Sequence, residues 1–578
     1  MTPLSEQTPG RRLDRRDAAF FLLLALSAAF LFWRVRYGYA NNDESFYLTI
    51  PRRLLQGDRL LIDEWHMSQF SGVLLYLPVL LFERLTGGTD GIYLAFRYLY
   101  VAVQCLAGAA VYLRFRQTHR QGAALGVLAL VLYTPYSMNA LSYNSMGVLF
   151  MALTGALLAT AKEHDRAGFL LAGLCFAGAV LCCPYLVLVY LLYALAALVF
   201  HKKKVVLPAL GGGAFGYFTL GAAILAAVFF LIGLAGTDLS RLPGALRGIF
   251  SDPEHEERQL FLFSVLYSIV RYPVYCGHYG FWGAGVCVAG VVLLALIAWL
   301  DKRRKEHAAV YFLLGTALAL AAEALYFIVV HYLNHMMFAL NALALLCFVL
   351  APPADMVRRI GFLWWLPSML YSWAVTIGSN QNVYVIFSAA ASALPGSIAV
   401  ILLTARHIFA AEKKPRRSAA VAVLAALFVL QLGGTAFLRY WNVYWDNDIR
   451  YQSETLSAGP QRGIVVEPHR AEEYEAAYRA VQELERRVPD GDGEVLVLTE
   501  TTWTAMGDYR LAAFSAWLSG VNDATLDRLE LYYALNPEKI PEVVWVEEKN
   551  AEYAEKFCAR FGYAAEATPD GIFLTPRQ

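Results

Sequence analysis

Apolar positions fill the first three quarters of the chain in long unbroken runs, and the last quarter changes to short alternating stretches. A helix that crosses a bilayer needs roughly 17 to 25 mostly apolar residues. Runs near that length are Ala18–Val35, Ala95–Leu113, Ala123–Ser137, Ser145–Ala161, Gly168–Pro184, Tyr185–Phe200 and Val206–Leu234. They continue with Phe281–Leu300, Ala308–Val330, Met336–Ala351, Ile360–Ile377, Val383–Ala405 and Ala419–Leu438. The pattern therefore predicts an α-helical polytopic membrane protein with about 13 transmembrane helices. After Leu438 the period shortens. Gly463–Glu467, Glu494–Thr499 and Val543–Glu547 read as strands, and Ala471–Arg487, Asp523–Leu535 and Ala551–Phe561 as helices. The expected organisation is a transmembrane domain over 1–438 and a small α/β domain over 439–578.

Charge decides how these runs are threaded. Lys and Arg cluster at Arg11–Arg16, Arg114–Arg120, Lys162–Arg166, Lys202–Lys204, Lys302–Lys305, Arg358–Arg359 and Arg406–Arg417. All of these fall on one side only if the further apolar stretch Gly72–Leu85 is not a span, so that stretch is expected to lie flat at the interface. Tyr37–Ile92 then becomes one long outer loop with interfacial helices. Basic clusters sit in the cytoplasm by preference, which puts the N-terminus inside and the C-terminal domain outside. The chain is 58% hydrophobic and 16% charged, well below the charge of a soluble chain. Most of its eight cysteines lie inside apolar runs, so they read as core residues rather than as a disulfide framework. The sequence holds no Walker loop, dinucleotide fingerprint, serine nucleophile elbow or paired CxxC. Nothing in it calls for nucleic acid.

Chemistry gathers on the outer side. The first outer loop opens with Asn41-Asn42-Asp43-Glu44-Ser45-Phe46-Tyr47 directly after the first span. Asp43 and Glu44 have two readings: acidic residues that solvate a loop, or a general base or cation-holding carboxylate near the headgroups. Arg52 and Arg53 follow within a few helical turns, where a phosphate is open to clamping. Arg97 and Arg271, near the outer surface, read as snorkelling cations or phosphate contacts. The turn Ser251-Asp252-Pro253-Glu254-His255, with Arg258 beyond it, reads as a solvated tip or as a mobile loop that brings His255 to the substrate. His66 is a further candidate for binding donor or cation. His331 and His335 have i, i+4 spacing but read first as ordinary interfacial residues. Tyr143 and Asn144 head a span, as helix caps or as substrate contacts.

Asp43-Glu44-Ser45-Phe46-Tyr47 followed by Leu54-Leu55-Gln56-Gly57-Asp58 resembles the GT-C superfamily of polyprenyl-phosphate-sugar-dependent glycosyltransferases. The likeness is to the branch of protein O-mannosyltransferases and lipid A aminoarabinose transferases. It extends through the interfacial segment Gly72–Leu85, Arg97, the span count and the trailing outer domain. The resemblance implies sugar transfer from a polyprenyl-phosphate carrier to an extracytoplasmic glycan, lipid or protein acceptor. Asp43 takes the role of base, with Glu44 as its neighbour and Arg97, Arg258 and Arg271 as phosphate contacts. It leaves the metal unknown, with a divalent cation allowed for. Departures are clear: Trp65-His66-Met67-Ser68-Gln69 replaces the branch's Glu-Lys-Pro-Pro, the Tyr143-Asn144 region stands where a second acid is expected, and Cys182-Cys183-Pro184 replaces a Lys-Gly-Pro. They argue against an aminoarabinose transferase as such. The alternative from another class is a membrane transporter or lipid-carrier flippase with gating outer loops. Glu323 is the ionisable residue placed deepest in a span.

Overall fold

A computed structural model describes residues 13–577 except 67, 204–210, 252–264, 273–281, 352–353, 379–382, 411, 490, 492 and 515–522. Among the described residues, ten helices are long and apolar enough to cross a membrane, and Arg166–Cys182 and Pro184–Val199 are shorter apolar helices. One of the ten, Ile92–Leu132, has 41 residues and bends at His119, where φ is −153° and ψ 89°. The chain folds back there: a Cβ on Gly108 would lie 2.6 Å from Val131, and Gln104 donates to the carbonyl of Leu130 at 3.3 Å, so the helices on either side of His119 pack against each other. It therefore carries two of the apolar runs, and the spans together match the 13 expected. Between those two runs the basic stretch Arg114–Arg120 contains the bend: His119 leaves helical geometry and separates the two helices.

Five of the seven basic clusters meet at one end of the bundle. Arg116 and Arg120 pair with Asp17, Arg120 with Asp14 at 2.7 Å, and Arg114 with Asp165. Arg359 donates to the carbonyl of Ala161 at 3.0 Å, and Arg16, Arg116, Arg120 and Arg406 line one polar cavity. A shared end for these groups is what an uncrossed Gly72–Leu85 requires. That segment is a separate 15-residue helix, Gly72–Thr86, packed on the helix Asp43–Leu55.

At the opposite end stands the C-terminal unit. Its sheet has five strands: β1 (Glu494–Leu498), β2 (Arg510–Leu511), β3 (Val543–Val546), β4 (Tyr563–Thr568) and β5 (Gly571–Pro576), in the order β2-β1-β3-β5-β4. β1 is parallel to β2 and β3, and β5 runs antiparallel between β3 and β4. β1 and β3 are buried along their whole length, which explains why they read as continuous apolar runs. The helices Pro468–Arg487, Asp523–Leu535 and Ala551–Phe561 agree with the expected ones to within a few residues. Missing from the sequence reading are β2 and the hairpin of β4 and β5. The hairpin turns at Pro569-Asp570-Gly571; Gly571 has φ +120°, and a Cβ there would lie 2.5 Å from Trp545 Nε1.

The unit shares its core with the outer loops. Trp65 is fully buried, stacked on Phe514 at 5.2 Å and edge-on to Tyr532 at 5.0 Å, while Ala245 and Ile249 fill the same cluster. Arg53 is held by Asp58 at 2.8 Å and Glu64 at 3.6 Å and donates to the carbonyl of Ala513; Lys539 bridges Asp58 and Glu494 at 2.8 and 2.9 Å. Arg52 pairs with Glu83 at 3.0 Å and donates to the carbonyl of Gly507. The arginines expected to clamp phosphate are thus engaged in docking, because buried guanidinium groups need fixed acceptors.

Burial works to raise the pKa of Asp58, but Arg53 and Lys539 outweigh it and hold the carboxyl below its usual range. A depressed folded pKa contributes stability that is present above the unfolded value near 3.9 and is lost as pH falls through the folded one. Asp58→Asn should therefore lower stability at pH 7 and remove part of the acid dependence of unfolding. Arg53→Met leaves two buried carboxylates short of their partner and should cost about 3–5 kcal/mol. Thermal unfolding and limited proteolysis across pH check both.

Candidate active site

The helix Asp43–Leu55 begins where the first span ends, and Asp43 is its first residue. An acid in the first turn faces unpaired backbone N–H groups and the positive end of the helix dipole, which favours its charged form. The next residue fixes its place. Glu44 is 3% exposed and Arg97 likewise 3%, and they form a bidentate pair with both contacts at 2.7 Å. Arg97 also donates to the carbonyls of Val35 at 3.2 Å and Gly38 at 2.9 Å. Glu44 and Arg97 thus serve each other. Four of the five N–H donors of the Arg97 fork are already used, so the geometry favours a positioning role for the pair.

Asp43 itself is half-buried among phenols. Tyr444 donates to Asp43 Oδ2 at 3.1 Å. Tyr47 and Tyr143 meet edge-on at 5.7 Å and, with Tyr136 and Tyr444, close one apolar cluster with Met138 and Ala140. Burial, with Asp43 alongside, pushes the Tyr47 and Tyr444 phenols well up. Both remain protonated, so Tyr444 stays a donor to Asp43. The wall comes from four separate places in the chain: the Asp43 helix, the link 133–142, the turn around Tyr332, and the segment after the last span. Asn334 joins two of them, accepting from the Tyr133 hydroxyl at 2.9 Å and from the Tyr136 backbone at 3.0 Å.

The backbone around this recess is unusual. Six non-glycine residues among those described have positive φ: Asn42, Leu61, Tyr136, Ser137, His331 and Trp445. All but Leu61 lie in the segments that surround Asp43. Such conformations cost on the order of 1–3 kcal/mol each and persist where surrounding structure imposes them, commonly at functional sites.

The other expected site residues are placed as follows. His255 and Arg258 lie outside the described residues, as does most of the loop that carries them. Arg271 is in a helical segment over 265–272 with its guanidinium 5.9 Å from the Tyr267 ring, and Tyr272 reaches Ser372 at 3.3 Å. His66 is buried against Phe46 at 5.3 Å, with Nδ1 accepting from the Ser68 backbone and facing its hydroxyl at 2.8 Å. Tyr143 belongs to the wall and Asn144 is buried behind it. Neither caps the helix: Ser142 does, in a reciprocal capping box with Ser145. His331 is exposed, while His335 is buried against Tyr326 and Phe387, so the pair does not converge. Among the described residues no group of three His, Cys, Asp or Glu is arranged to hold a metal ion. Sequence reading missed Tyr136, Tyr332 and Tyr444. The dense tyrosine content of the outer turns was their one available signal.

No protein-family model matches the chain, and no curated protein matches it. Solved structures similar to it include ArnT from Cupriavidus metallidurans bound to undecaprenyl phosphate, at 12% identity over 96% of this chain and 98% of that one, with a TM-score of 0.49. Another is the archaeal oligosaccharyltransferase AglB from Archaeoglobus fulgidus in complex with an inhibitory peptide and a dolichol-phosphate. Its identity is 15% over 97% of this chain and 74% of its own, with a TM-score of 0.46.

If Glu44 and Arg97 position Asp43, removing one partner should be worse than removing both. Arg97→Met should cost about 3–5 kcal/mol by leaving Glu44 buried and alone, and Arg97→Met with Glu44→Leu should regain much of it. A double-mutant cycle by thermal unfolding measures the coupling.

Proposed function

We propose that the chain is an integral membrane glycosyltransferase of the GT-C type, moving a sugar from a polyprenyl-phosphate carrier to an extracytoplasmic acceptor with Asp43 as general base. The observation that carries the reading is the concentration of strained backbone and phenols around one half-buried carboxylate at one end of the bundle. In this reading the end bearing the basic clusters is cytoplasmic, and the sheet unit and Asp43 face outward. Nucleotide sugars are absent there, so a donor anchored in the membrane meets the site from the side of the bundle.

The chemistry is a single displacement. Asp43 takes the proton of an acceptor hydroxyl as its oxygen bonds to the anomeric carbon. The bond between that carbon and the phosphate oxygen breaks, and the lipid phosphate leaves with the electron pair. Tyr444 holds the carboxylate in one orientation, and the phenols of Tyr47, Tyr136 and Tyr143 offer flat faces with polar edges, suited to a sugar ring. The acceptor is a cell-envelope glycan, lipid or protein.

A second reading, a transporter or lipid-carrier flippase, has Glu323 in its favour. This residue is fully buried in the helix Arg304–Val330, and neither of its carboxyl oxygens makes a hydrogen bond among the described residues. Intramembrane acids of that kind often mark ion or substrate paths.

Transfer from synthetic polyprenyl-phosphate sugars to membrane extracts separates the two. Asp43→Asn should lower the rate by at least about 100-fold with lipid binding retained, and Tyr444→Phe should lower it several-fold. Equal rates for wild type and Asp43→Asn would remove the base assignment. Solute or lipid flux in liposomes that disappears in Glu323→Gln, with no transfer from any donor, would establish the second reading.

A further inference from the structure

One helical turn further along the Ile92–Leu132 helix than Arg97 lies Tyr100, and over its ring, at 5.9 Å, sits the guanidinium of Arg439. Arg439 belongs to the last span, Lys414–Trp441, and is 1% exposed. None of its three guanidinium nitrogens makes a hydrogen bond among the described residues. Among the described residues no carboxylate pairs with it either. Arg34, at the end of the first span and also 1% exposed, is close enough to Arg439 and Arg97 to feel both charges. Its own donors go to backbone carbonyls of Tyr37, Tyr440 and Asn442. The cluster thus holds three buried guanidinium groups, and Glu44 neutralises one of them. Two cations remain in a low-dielectric place without an ion-pair partner among the described residues.

A buried charge of this kind is costly, and at 1% exposure the Arg439 guanidinium does not reach water by snorkelling. Its planar fork, close to the Tyr100 side chain and holding no carboxylate among the described residues, matches a tetrahedral oxyanion. Two further buried donors in the adjoining link, the Tyr136 hydroxyl and Ser137 Oγ, also make no hydrogen bond among the described residues. Tyr133 connects the two sets, lying within electrostatic reach of both Arg439 and Tyr136. The site lies in the bundle beneath Asp43 and not on the open loops, so it suits a head group that enters from the membrane.

We infer that Arg439, backed by Arg34, is the seat of a phosphate group, and, resting on the lipid-carrier reading above, that this group is the head of a polyprenyl phosphate. Arg439 binds the phosphate both before and after transfer, and Arg34 balances the second negative charge of the departing monoester. Arg34 and Arg439 are like charges within electrostatic reach of each other, a repulsion that a bound anion relieves.

The full-length protein in a phosphate-free maltoside detergent tests this, with undecaprenyl phosphate, undecaprenol and inorganic phosphate as probes. Undecaprenyl phosphate should raise the thermal midpoint of wild type, and undecaprenol should not. Arg439→Gln should weaken undecaprenyl phosphate binding roughly tenfold to hundredfold, while Arg439→Lys, which keeps the charge but not the fork, should retain part of it. Without lipid, Arg439→Gln should unfold at or above the wild-type midpoint, since it loses an unpaired charge. A midpoint raised by inorganic phosphate alone would also support the seat and give it a free anion as its source. Equal affinity in wild type and Arg439→Gln, equal effects of undecaprenol and its phosphate, or an empty Arg439→Gln protein less stable than wild type would overturn the inference. The readout is binding without turnover, so Asp43→Asn should bind as wild type does. Binding at the seat without any sugar transfer would fault the transferase reading and leave the seat standing; transfer with the seat's binding lost nowhere would do the reverse.

Discussion

A charge that leaves water must find its partner inside the protein, and at the rim of this bundle that requirement is met by Glu44 and Arg97. Their pair does more than cancel two charges. Arg97 also holds the carbonyls of Val35 and Gly38, so one side chain ties the end of the first span, the start of the outer-loop helix and the second span together. Asp43 is one residue from this knot and cannot shift without it. Whether the pair stabilises the fold more than apolar residues would is a separate question, and buried pairs often do not. Its value here is geometric: it sets the first turn of a helix to within a side chain's freedom.

The same requirement explains the outer loop's other arginines. Arg52 and Arg53 stand where a phosphate-clamping role was attractive, yet both are drawn into the contact with the C-terminal unit. That unit in turn shapes the recess. Asn41 accepts from the backbone and hydroxyl of Thr502 at 2.9 and 2.8 Å, Trp503 donates to the Tyr39 hydroxyl at 2.6 Å, and Gln461 reads both polar groups of Ala40. The approach to Asp43 is gripped residue by residue from the side away from the membrane. Trp65 belongs to this contact too. A departure from the family pattern that looked like a clue to the substrate is, in the structure, an anchor for the neighbouring sheet.

Spans and strands were legible because apolar periodicity is a property of neighbours along the chain. The runs from Ala18 to Leu438 and the buried strands Glu494–Leu498 and Val543–Val546 need no tertiary information. Where the reading fell short, the missing knowledge was tertiary or lay in small signals. Arg53, Arg97 and Glu44 have the right residue types for a site and were given roles there, but only packing shows which charges face one another. The hairpin after Phe561 had a turn signature in Pro569-Asp570-Gly571 that went unread. Tyr444 could not be tied to Asp43 from the sequence, since 401 positions separate them. Asp43 itself was legible through the motif around it, and its environment was not.

One further signal was present from the start. The bias of Lys and Arg toward one side of a membrane is strong, so a cation at the other end of a span is an exception that needs a cause. Arg34 and Arg439 close their spans at the end away from the basic clusters, and both are buried instead of reaching for the headgroups. A snorkelling residue would explain the position but not the burial, and an ion pair would explain the burial but requires a carboxylate. Arg97 has one. Arg34 makes do with backbone carbonyls, which solvate a guanidinium without neutralising it, and Arg439 has the Tyr100 ring. Cations that break the bias, avoid water and have no carboxylate partner among the described residues fit the proposed phosphate seat, where an anion supplies the other half of the interaction, so a rule about topology ends by drawing attention to the site.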